Sequence, residues 1–341
     1  MQKRVLVGMS GGVDSTFAAY QLKKEGYEVI GVYMKLYENE AKHKENIRKI
    51  DMACKYFGIE YKVYDLTKEF NELVYSPFIN SYVAGDTPNP CGNCNQFIKF
   101  GKFVEVANEL GCELISTGHY INTDKEFIYE ADDDSKDQTY FLFHIDPKVL
   151  KKMVFPLGGK IKDEIKEFIR STGDLREIAD QKESTEICFV ETDYKDLLRK
   201  YVDVDKPGDI LDSEGNVIGK HKGYMNYTIG QRKGFETTLK KKLFVNKIIP
   251  EKNQIVVGEK QELRKETVKI KELNLFFKPI PEKFHSEVRL RYRTKKIPCL
   301  VEVSGADAVI HLEIPAELGV AKGQAAVFYD GKKMIGGGWI V

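Results

Sequence analysis

In the first 120 residues, short apolar runs alternate with longer stretches in which apolar side chains return every three or four positions. Val5, Leu6 and Val7 form the first run, β-branched at both ends and too short for a helix. Such a run predicts a strand buried on both faces. A polar turn follows, then Phe17, Ala18, Ala19, Tyr20 and Leu22, enough to fill one helical face. Residues 29–34 predict a second strand. Residues 46–57 predict a helix with Ile47, Ile50, Cys54 and Phe57 on one face, closed by Gly58, and residues 61–64 a third strand. Residues 114–120 form another strand that runs into a glycine turn. Strands alternating with helices predict a doubly wound parallel sheet, whose ligands sit beyond the carboxyl ends of the strands. The turn at 8–15, Met34 and the turn at Gly118 then share one edge.

The pattern continues with a helix after Cys94, expected to face Phe97, Phe100, Val104 and Ala107 inward. A second helix over 161–169 is expected to bury Ile161, Ile165, Phe168 and Ile169, with Gly173 ending the stretch. Near Tyr201 the helical period fades. Pro207, Gly208, Gly215 and Gly219 mark turns between short runs, and strands are expected over 243–245, 254–257, 287–293, 299–303, 308–313 and 325–329. The fold class is therefore α/β plus all-β, an N-terminal doubly wound parallel sheet followed by two small β-barrel-like domains. The expected boundaries are 1–200, 201–268 and 269–341, with the two β domains dividing near 266–274.

At 341 residues the chain exceeds one ordinary core, and its 42% apolar and 31% charged content is that of a globular protein. A net charge of +1 means that nucleic-acid binding must come from local basic patches. No signal peptide is expected, and no apolar run approaches the ~20 residues that span a bilayer. Six cysteines in such a chain do not suggest a disulfide scaffold, so the expected compartment is the cytoplasm, with no membrane partner.

Chemistry concentrates in a few stretches. Gly8, Met9, Ser10, Gly11, Gly12, Val13, Asp14 and Ser15 join the first strand to its helix. Glycines there bring bare backbone to a ligand, successive N–H groups make an anion cradle, and the helix N-terminus adds positive potential. Asp14 reads as a magnesium ligand or a helix cap. The lysine of a Walker loop is absent. Cys91 and Cys94 follow two prolines near a helix N-terminus, where a thiol pKa falls. Their C-x-x-C spacing fits a redox pair, half a zinc site, a cluster ligand pair or two unrelated loop thiols. His119 stands at a strand end. Residues 132–138 read as a solvated polar turn, and Cys188, between apolar neighbours, taken alone reads as a core thiol. Arg289, Arg291 and Arg293 alternate and so share one face of an expected strand, a footprint for a phosphate backbone. Arg232, Lys233 and Lys240 to Lys242 add further basic character.

The string S-G-G-V-D-S resembles the pyrophosphate loop of ATP pyrophosphatases of the adenine nucleotide alpha hydrolase-like class. A collinear series extends the resemblance over nearly the whole chain: G-V-Y-M-K at 31–35, T-P-N-P-x-x-x-C-N at 87–95, T-G-H-Y at 117–120, K-D-Q-x-Y-F-L at 136–142, F-P-L-G at 155–158, E-I-C-F at 186–189, Y-T-I-G-Q-R-K-G at 227–234, R-Y-R at 291–293 and G-Q-x-x-V-F-Y at 323–329. Together these are similar to the tRNA-specific 2-thiouridylases. The resemblance implies that residues 8–15, Met34 and Gly118 hold ATP with Mg²⁺, that Cys94 is the first catalytic thiol, and that Cys188 carries a persulfide. It implies tRNA contacts at Asn89, Pro90, Cys91, His119, Lys136, Asp137, Gln138, Arg291, Tyr292 and Gln324. The family often has an acid where Cys91 stands. The thiol there is inert, pairs with Cys94, or helps hold an iron–sulfur cluster with Cys94 and Cys188.

The implied reaction is ATP-dependent 2-thiolation of the wobble uridine of tRNAs for Lys, Glu and Gln. AMP is transferred to the C2 oxygen, sulfur comes from a persulfide loaded by an upstream donor (a persulfide carrier or cysteine desulfurase), and Cys94 and Cys188 end as a disulfide. The rivals are another pyrophosphate-loop enzyme, such as a 4-thiouridine synthase or an amidating synthetase, and a non-catalytic RNA-binding or iron–sulfur protein.

Overall fold

The computed structural model describes residues 2–181, 187–190, 192–239, 241–317 and 319–341. Residues 182–186, which include Glu186 of the E-I-C-F motif, and Lys240 of the basic run lie outside the described residues. The chain divides into two compact units. One comprises Met1–Val74, Cys91–Thr185 and Gly331–Ile335, the other Tyr75–Pro90, Glu186–Asp330 and Gly336–Val341.

The first unit is built on four parallel strands, β1 (Arg4–Gly8), β2 (Glu28–Lys35), β3 (Glu60–Asp65) and β4 (Leu114–Thr117), in the order β3-β2-β1-β4. Val5, Leu6 and Val7 are fully buried, as a central strand covered on both faces requires. Chain order reverses between β1 and β4, so the crevice at their carboxyl ends is the switch point where such sheets bind ligands. Helix α1 (Val13–Lys24) follows β1, and α2 (Glu40–Phe57) follows β2. Helix α2 starts six residues before the expected position. Its first turns lack an apolar stripe, but the Asn39 side chain accepts from the Lys42 N–H at 3.0 Å and caps them. Gly58 ends the helix in the left-handed conformation at φ 63°. The hairpin β5 (Ile121–Thr123) and β6 (Ile128–Glu130) is extended by Lys333 and Met334, which pair with Tyr129 and Ile128.

The helical segment after Pro90 departs from the expected phase. Pro90–Asn93 is α-helical, Cys94–Lys102 is π-helical and Phe103–Glu109 is α-helical again. The wider π turns rotate the buried face, so Ile98, Phe100, Phe103, Val106 and Ala107 are buried while Phe97 is exposed and Val104 half-buried. The later helix is also displaced. It spans Lys162–Ser171, Ile165 and Ile169 are buried as expected, but Ile161 is exposed and Lys162 is buried in its place.

The second unit holds two β structures. In the first, β7 (Gly208–Leu211), β8 (Val217–His221), β9 (Phe244–Ile249) and β10 (Gln254–Gly258) lie in the order β8-β7-β10-β9 around Ile210, Ile218, Val245, Ile255 and Val257. In the second, β11 (Lys265–Leu275), β12 (Lys283–Arg289), β13 (Ile297–Ser304), β14 (Asp307–Ala316), β15 (Ala325–Asp330) and β16 (Lys333–Ile340) run in the order β11-β14-β13-β12-β15-β16. Pairing of β11 with β16 closes the ring. The stretch expected to divide the β domains is thus itself an 11-residue strand, because Val268, Ile270 and Leu275 point into the barrel core. Among the described residues, no helix is long and apolar enough to cross a membrane.

The closing seam depends on a glycine. Gly336 has φ +136°, and a Cβ there would lie 2.1 Å from the Asn274 carbonyl oxygen. Gly336→Ala combines strain with overpacking and is expected to cost roughly 2–5 kcal/mol. Urea unfolding followed through the fluorescence of Trp339 tests this.

Candidate functional site

The turn between β1 and α1 is folded by its own serines. Ser15 Oγ accepts from the Ser10 N–H at 3.1 Å and donates to the Gly12 carbonyl at 3.1 Å, while Ser10 Oγ accepts from the Gly12 N–H at 3.3 Å. Gly11 takes φ +80°, and a Cβ there would lie 3.0 Å from the Asn46 carbonyl. Gly12 is the N-cap of α1, and no side chain caps that helix. Backbone amides, a hydroxyl pair and an uncapped helix N-terminus therefore converge on one loop, which suits an anion. Met9 plays another part. Its side chain is buried in the core, with Sδ 3.7 Å from Cys54 Sγ. Cys54 is a core thiol whose pKa burial pushes up to about 12.

The end of β4 closes on this loop. A Cβ at Gly118 would lie 2.9 Å from the Ser15 amide nitrogen and 3.0 Å from Asp14 Cβ, so only glycine allows the approach. Tyr120 then reaches Asp14, its hydroxyl donating to Oδ1 at 2.5 Å. Asp14 is the second residue of α1 rather than its cap. Its carboxylate also forms an ion pair with Lys162 Nζ, whose ammonium lies 5.7 Å from the Tyr120 ring centroid. The sequence reading missed Lys162. A signal was present: the cation sits in the first turn of a helix, where the macrodipole favours acids, shortly after F-P-L-G.

His119 is buried beside Phe100 and Phe155, with Nδ1 2.6 Å from Thr117 Oγ1. Burial, with Lys99 adding a smaller repulsion, holds its pKa well below the usual imidazole value. The turn at 132–138 is only partly solvated. Asp137 is buried and accepts from the Thr139 hydroxyl at 2.8 Å and from the Ala131 and Thr139 amides at 3.3 Å. Burial raises its pKa against those hydrogen bonds. Gln138 accepts from the Tyr120 N–H at 2.9 Å, and Lys136, on the same turn, is half-buried. Tyr120 thus ties the 132–138 turn to Asp14 and the glycine loop within the first unit.

The thiols lie in contrasting settings. Cys94 is buried at the start of the π-helical segment, and Cys91 is half-buried one turn earlier. Cys188 is exposed in a turn, unlike the core thiol its neighbours suggested, because Phe189 and Val190 take the buried positions instead. Cys94 belongs to the first unit and Cys188 to the second. Among the described residues, no three His, Cys, Asp or Glu side chains are gathered as a metal site.

In the second unit, the Gln324 amide donates to the carbonyls of Thr87 at 2.9 Å and Pro88 at 3.2 Å. The Thr87 N–H donates to Lys322 at 2.8 Å. The barrel loop at 322–324 therefore holds the extended segment that carries buried Asn89 and Pro90 into Cys91. The expected arginine stripe does not form. Strand β12 ends at Arg289, and residues 290–293 turn, with Arg293 at φ 62°. Arg289 and Lys296 lie 5.0 and 4.6 Å from the Tyr329 ring centroid, Arg293 lies 5.1 Å from that of Tyr292, and Thr294 bonds back to the Arg291 carbonyl at 2.7 Å. Cation–π packing and the turn replace strand alternation.

An uncapped helix behind a glycine–serine turn at the switch point of a parallel sheet defines an α/β protein of the pyrophosphate-loop class. The chain belongs to the tRNA-specific 2-thiouridylase family. It is 51% identical to the tRNA-specific 2-thiouridylase MnmA of Nitratiruptor sp. over 100% of both chains, and 50% identical to that of Sulfurimonas denitrificans over 100% of this chain and 99% of the relative. The Campylobacter jejuni protein of the same name is 48% identical over 99% of each chain. Residues 3–192 match the tRNA methyl transferase HUP domain, 195–259 the tRNA methyl transferase PRC-barrel domain and 265–340 the aminomethyltransferase beta-barrel domain. The methyl-transfer wording of these domain families differs from the names of the full-length relatives, and the full-length identity decides the family.

The burial of His119 sets a pH dependence. Below about 6.5 the unfolded imidazole takes a proton that the folded one refuses, so stability falls as pH drops and is unaffected well above that value. Denaturant melts between pH 7.5 and 5 are expected to show a steeper acid loss for wild type than for His119→Asn.

Proposed function

We propose that this protein is a cytoplasmic enzyme that places sulfur at C2 of the wobble uridine of tRNAs for Lys, Glu and Gln, using ATP. The observation that carries this reading is the glycine–serine loop at the sheet switch point, in a chain that matches named 2-thiouridylases from end to end. A catalytic domain over 1–200, a central β domain over 201–268 and a C-terminal barrel over 269–341 belong to the same reading.

The C2 oxygen of uracil leaves poorly, and transfer of AMP to it gives a good leaving group. The loop amides and the α1 N-terminus would stabilise departing pyrophosphate by preorganised charge. Gly118 and Met34 would border the nucleotide. The partly exposed carboxylate of Asp14 suits a magnesium ion brought with the phosphates, which would add Lewis-acid neutralisation of their charge. Exposed Cys188 suits loading as Cys–S–SH by an upstream protein donor. Its terminal sulfur attacks C2, or Cys94 attacks the inner sulfur and releases hydrosulfide to do so. AMP departs with the former C2 oxygen, the thiols form a disulfide, and a reductant resets them. The base must leave the anticodon stack to be reached. Lys136, Arg291 and Tyr292 suit direct RNA contact. Asn89, Pro90, Cys91 and His119 would border the target base, and Asp137, Gln138 and Gln324 would shape the surfaces that meet the tRNA.

The test is nucleoside analysis after incubation with ATP, Mg²⁺, a sulfide or persulfide source and unmodified tRNA. Wild type is expected to form 2-thiouridine with release of AMP. Cys188→Ser is expected to lose persulfide-dependent transfer on the order of 10²-fold or more while folding normally. Full activity of that variant would remove Cys188 from the mechanism, and failure of wild type where a known 2-thiouridylase succeeds would sink the reading.

A further inference from the structure

Of the six cysteines, Cys54, Cys112 and Cys299 are core thiols whose pKa values burial raises. The sulfur transfer proposed above uses Cys94 and Cys188. Cys91 is left over, and it lies one helical turn before Cys94. Pro90–Asn93 is α-helical, Asn93 keeps α-helical angles at φ −61° and ψ −43°, and the π-helical segment starts only at Cys94. Over three residues of α-helix, rise and radius place Cα atoms about 5 Å apart. Disulfides take Cα separations of roughly 4.4–6.8 Å. The backbone therefore holds this pair at bridging distance. Asn95 fixes the segment, since its amide donates to the Phe141 carbonyl at 3.0 Å and Ile98 and Phe100 beyond it are buried. Cys94 is 7% exposed and Cys91 is half-buried, so a reagent from solvent meets Cys91 first.

On the reading that turnover leaves a Cys94–Cys188 disulfide, we propose that Cys91 is the resolving thiol that dismantles it. The Cys91 thiolate attacks Cys94 Sγ. The Cys91–Cys94 bond forms, the Cys94–Cys188 bond breaks, and Cys188 leaves with the electron pair as a thiolate. The proton shed by Cys91 reaches Cys188 through solvent, and the exchange is neither a net oxidation nor a net reduction. Cys188, in the second unit, is then ready for reloading, while the oxidised bond stays within the first unit. An external dithiol completes the cycle. One of its thiolates attacks the more accessible Cys91 sulfur, and Cys94 leaves as a thiolate. Its second thiolate then displaces Cys91. The external dithiol ends as a disulfide, and two electrons and two protons pass to the C-x-x-C pair. Cys91 is thus a catalytic residue, because its sulfur bonds to the reacting atoms.

Two measurements on the full chain test this. The variant Cys188→Ser isolates the pair from thiolation. Equilibrated with reduced and oxidised dithiothreitol, alkylated and mapped by peptide mass, it is expected to show a two-electron Cys91–Cys94 couple that disappears when Cys91→Ser is added. No such disulfide in Cys188→Ser would overturn the proposal, whatever the protein does to tRNA. Wild type quenched in acid after one turnover and alkylated is expected to hold Cys91–Cys94 with Cys188 alkylated, whereas Cys91→Ser should hold Cys94–Cys188. In about 0.1 mM dithiol, later turnovers of Cys91→Ser, each scaled to its own first turnover, should run roughly 10-fold slower than wild type and recover in about 10 mM dithiol, because a tethered thiol acts at a millimolar effective concentration. Cys91→Ala replaces the serine variant if that fails to fold. Identical dithiol dependence in the two proteins, or iron in anaerobically purified wild type that is lost in Cys91→Ser, would overturn the resolving role. A wild type that forms no 2-thiouridine, or forms it with no Cys94 disulfide, would instead overturn the reading on which the proposal rests.

Discussion

The approach of the β4 end to the β1–α1 turn is the constraint on which the first unit depends. The two parallel strands stay paired to Gly8 and Thr117, and a Cβ at Gly118 would lie 2.9 Å from the Ser15 amide nitrogen, closer than a side chain tolerates. The approach brings Tyr120 to Asp14, and through Gln138 it fixes the turn at 132–138. The elements on either side of the crevice are held by backbone proximity first and by side-chain hydrogen bonds second. Glycine is the residue that permits this order of causes.

Charge placement follows from that geometry. An anion-favouring loop must satisfy its own donors until a ligand arrives, and here the serines do so. Asp14 serves the same end for the buried ammonium of Lys162. Asp137 shows the complementary solution. Its carboxylate is removed from water, and the amides and hydroxyl around it supply what solvent would have given.

The second unit uses aromatic rings and carbonyls to position its basic and polar groups. Strand β12 stops at Arg289, so the turn that carries Arg291 and Arg293 has no strand alternation to align them, and Arg289 and Lys296 pack on Tyr329. Gln324 spends its amide donors on the Thr87 and Pro88 carbonyls, which orders the segment leading to Cys91. Gln324 is thereby a structural clamp on that segment.

Much of the chain was legible in the residues alone. Short β-branched runs, Gly58 as a stop and the glycine–serine string marked the parallel sheet, the helix end and the tight turn at the switch point, because each rests on local backbone sterics or on a period read within a dozen residues. The collinear motifs marked the family for the same reason, as each is a short contiguous string. What escaped was long-range. The π turns after Cys94 shifted a helical face that a 3.6-residue period could not foresee. Lys162 found its partner 148 positions away in Asp14, and Cys188 was exposed because its neighbours took the core instead. The sequence by itself determined which backbone could bend and which segments alternate. Only the tertiary structure decided which charges meet, because an ion pair depends on burial and on a partner that chain order does not disclose.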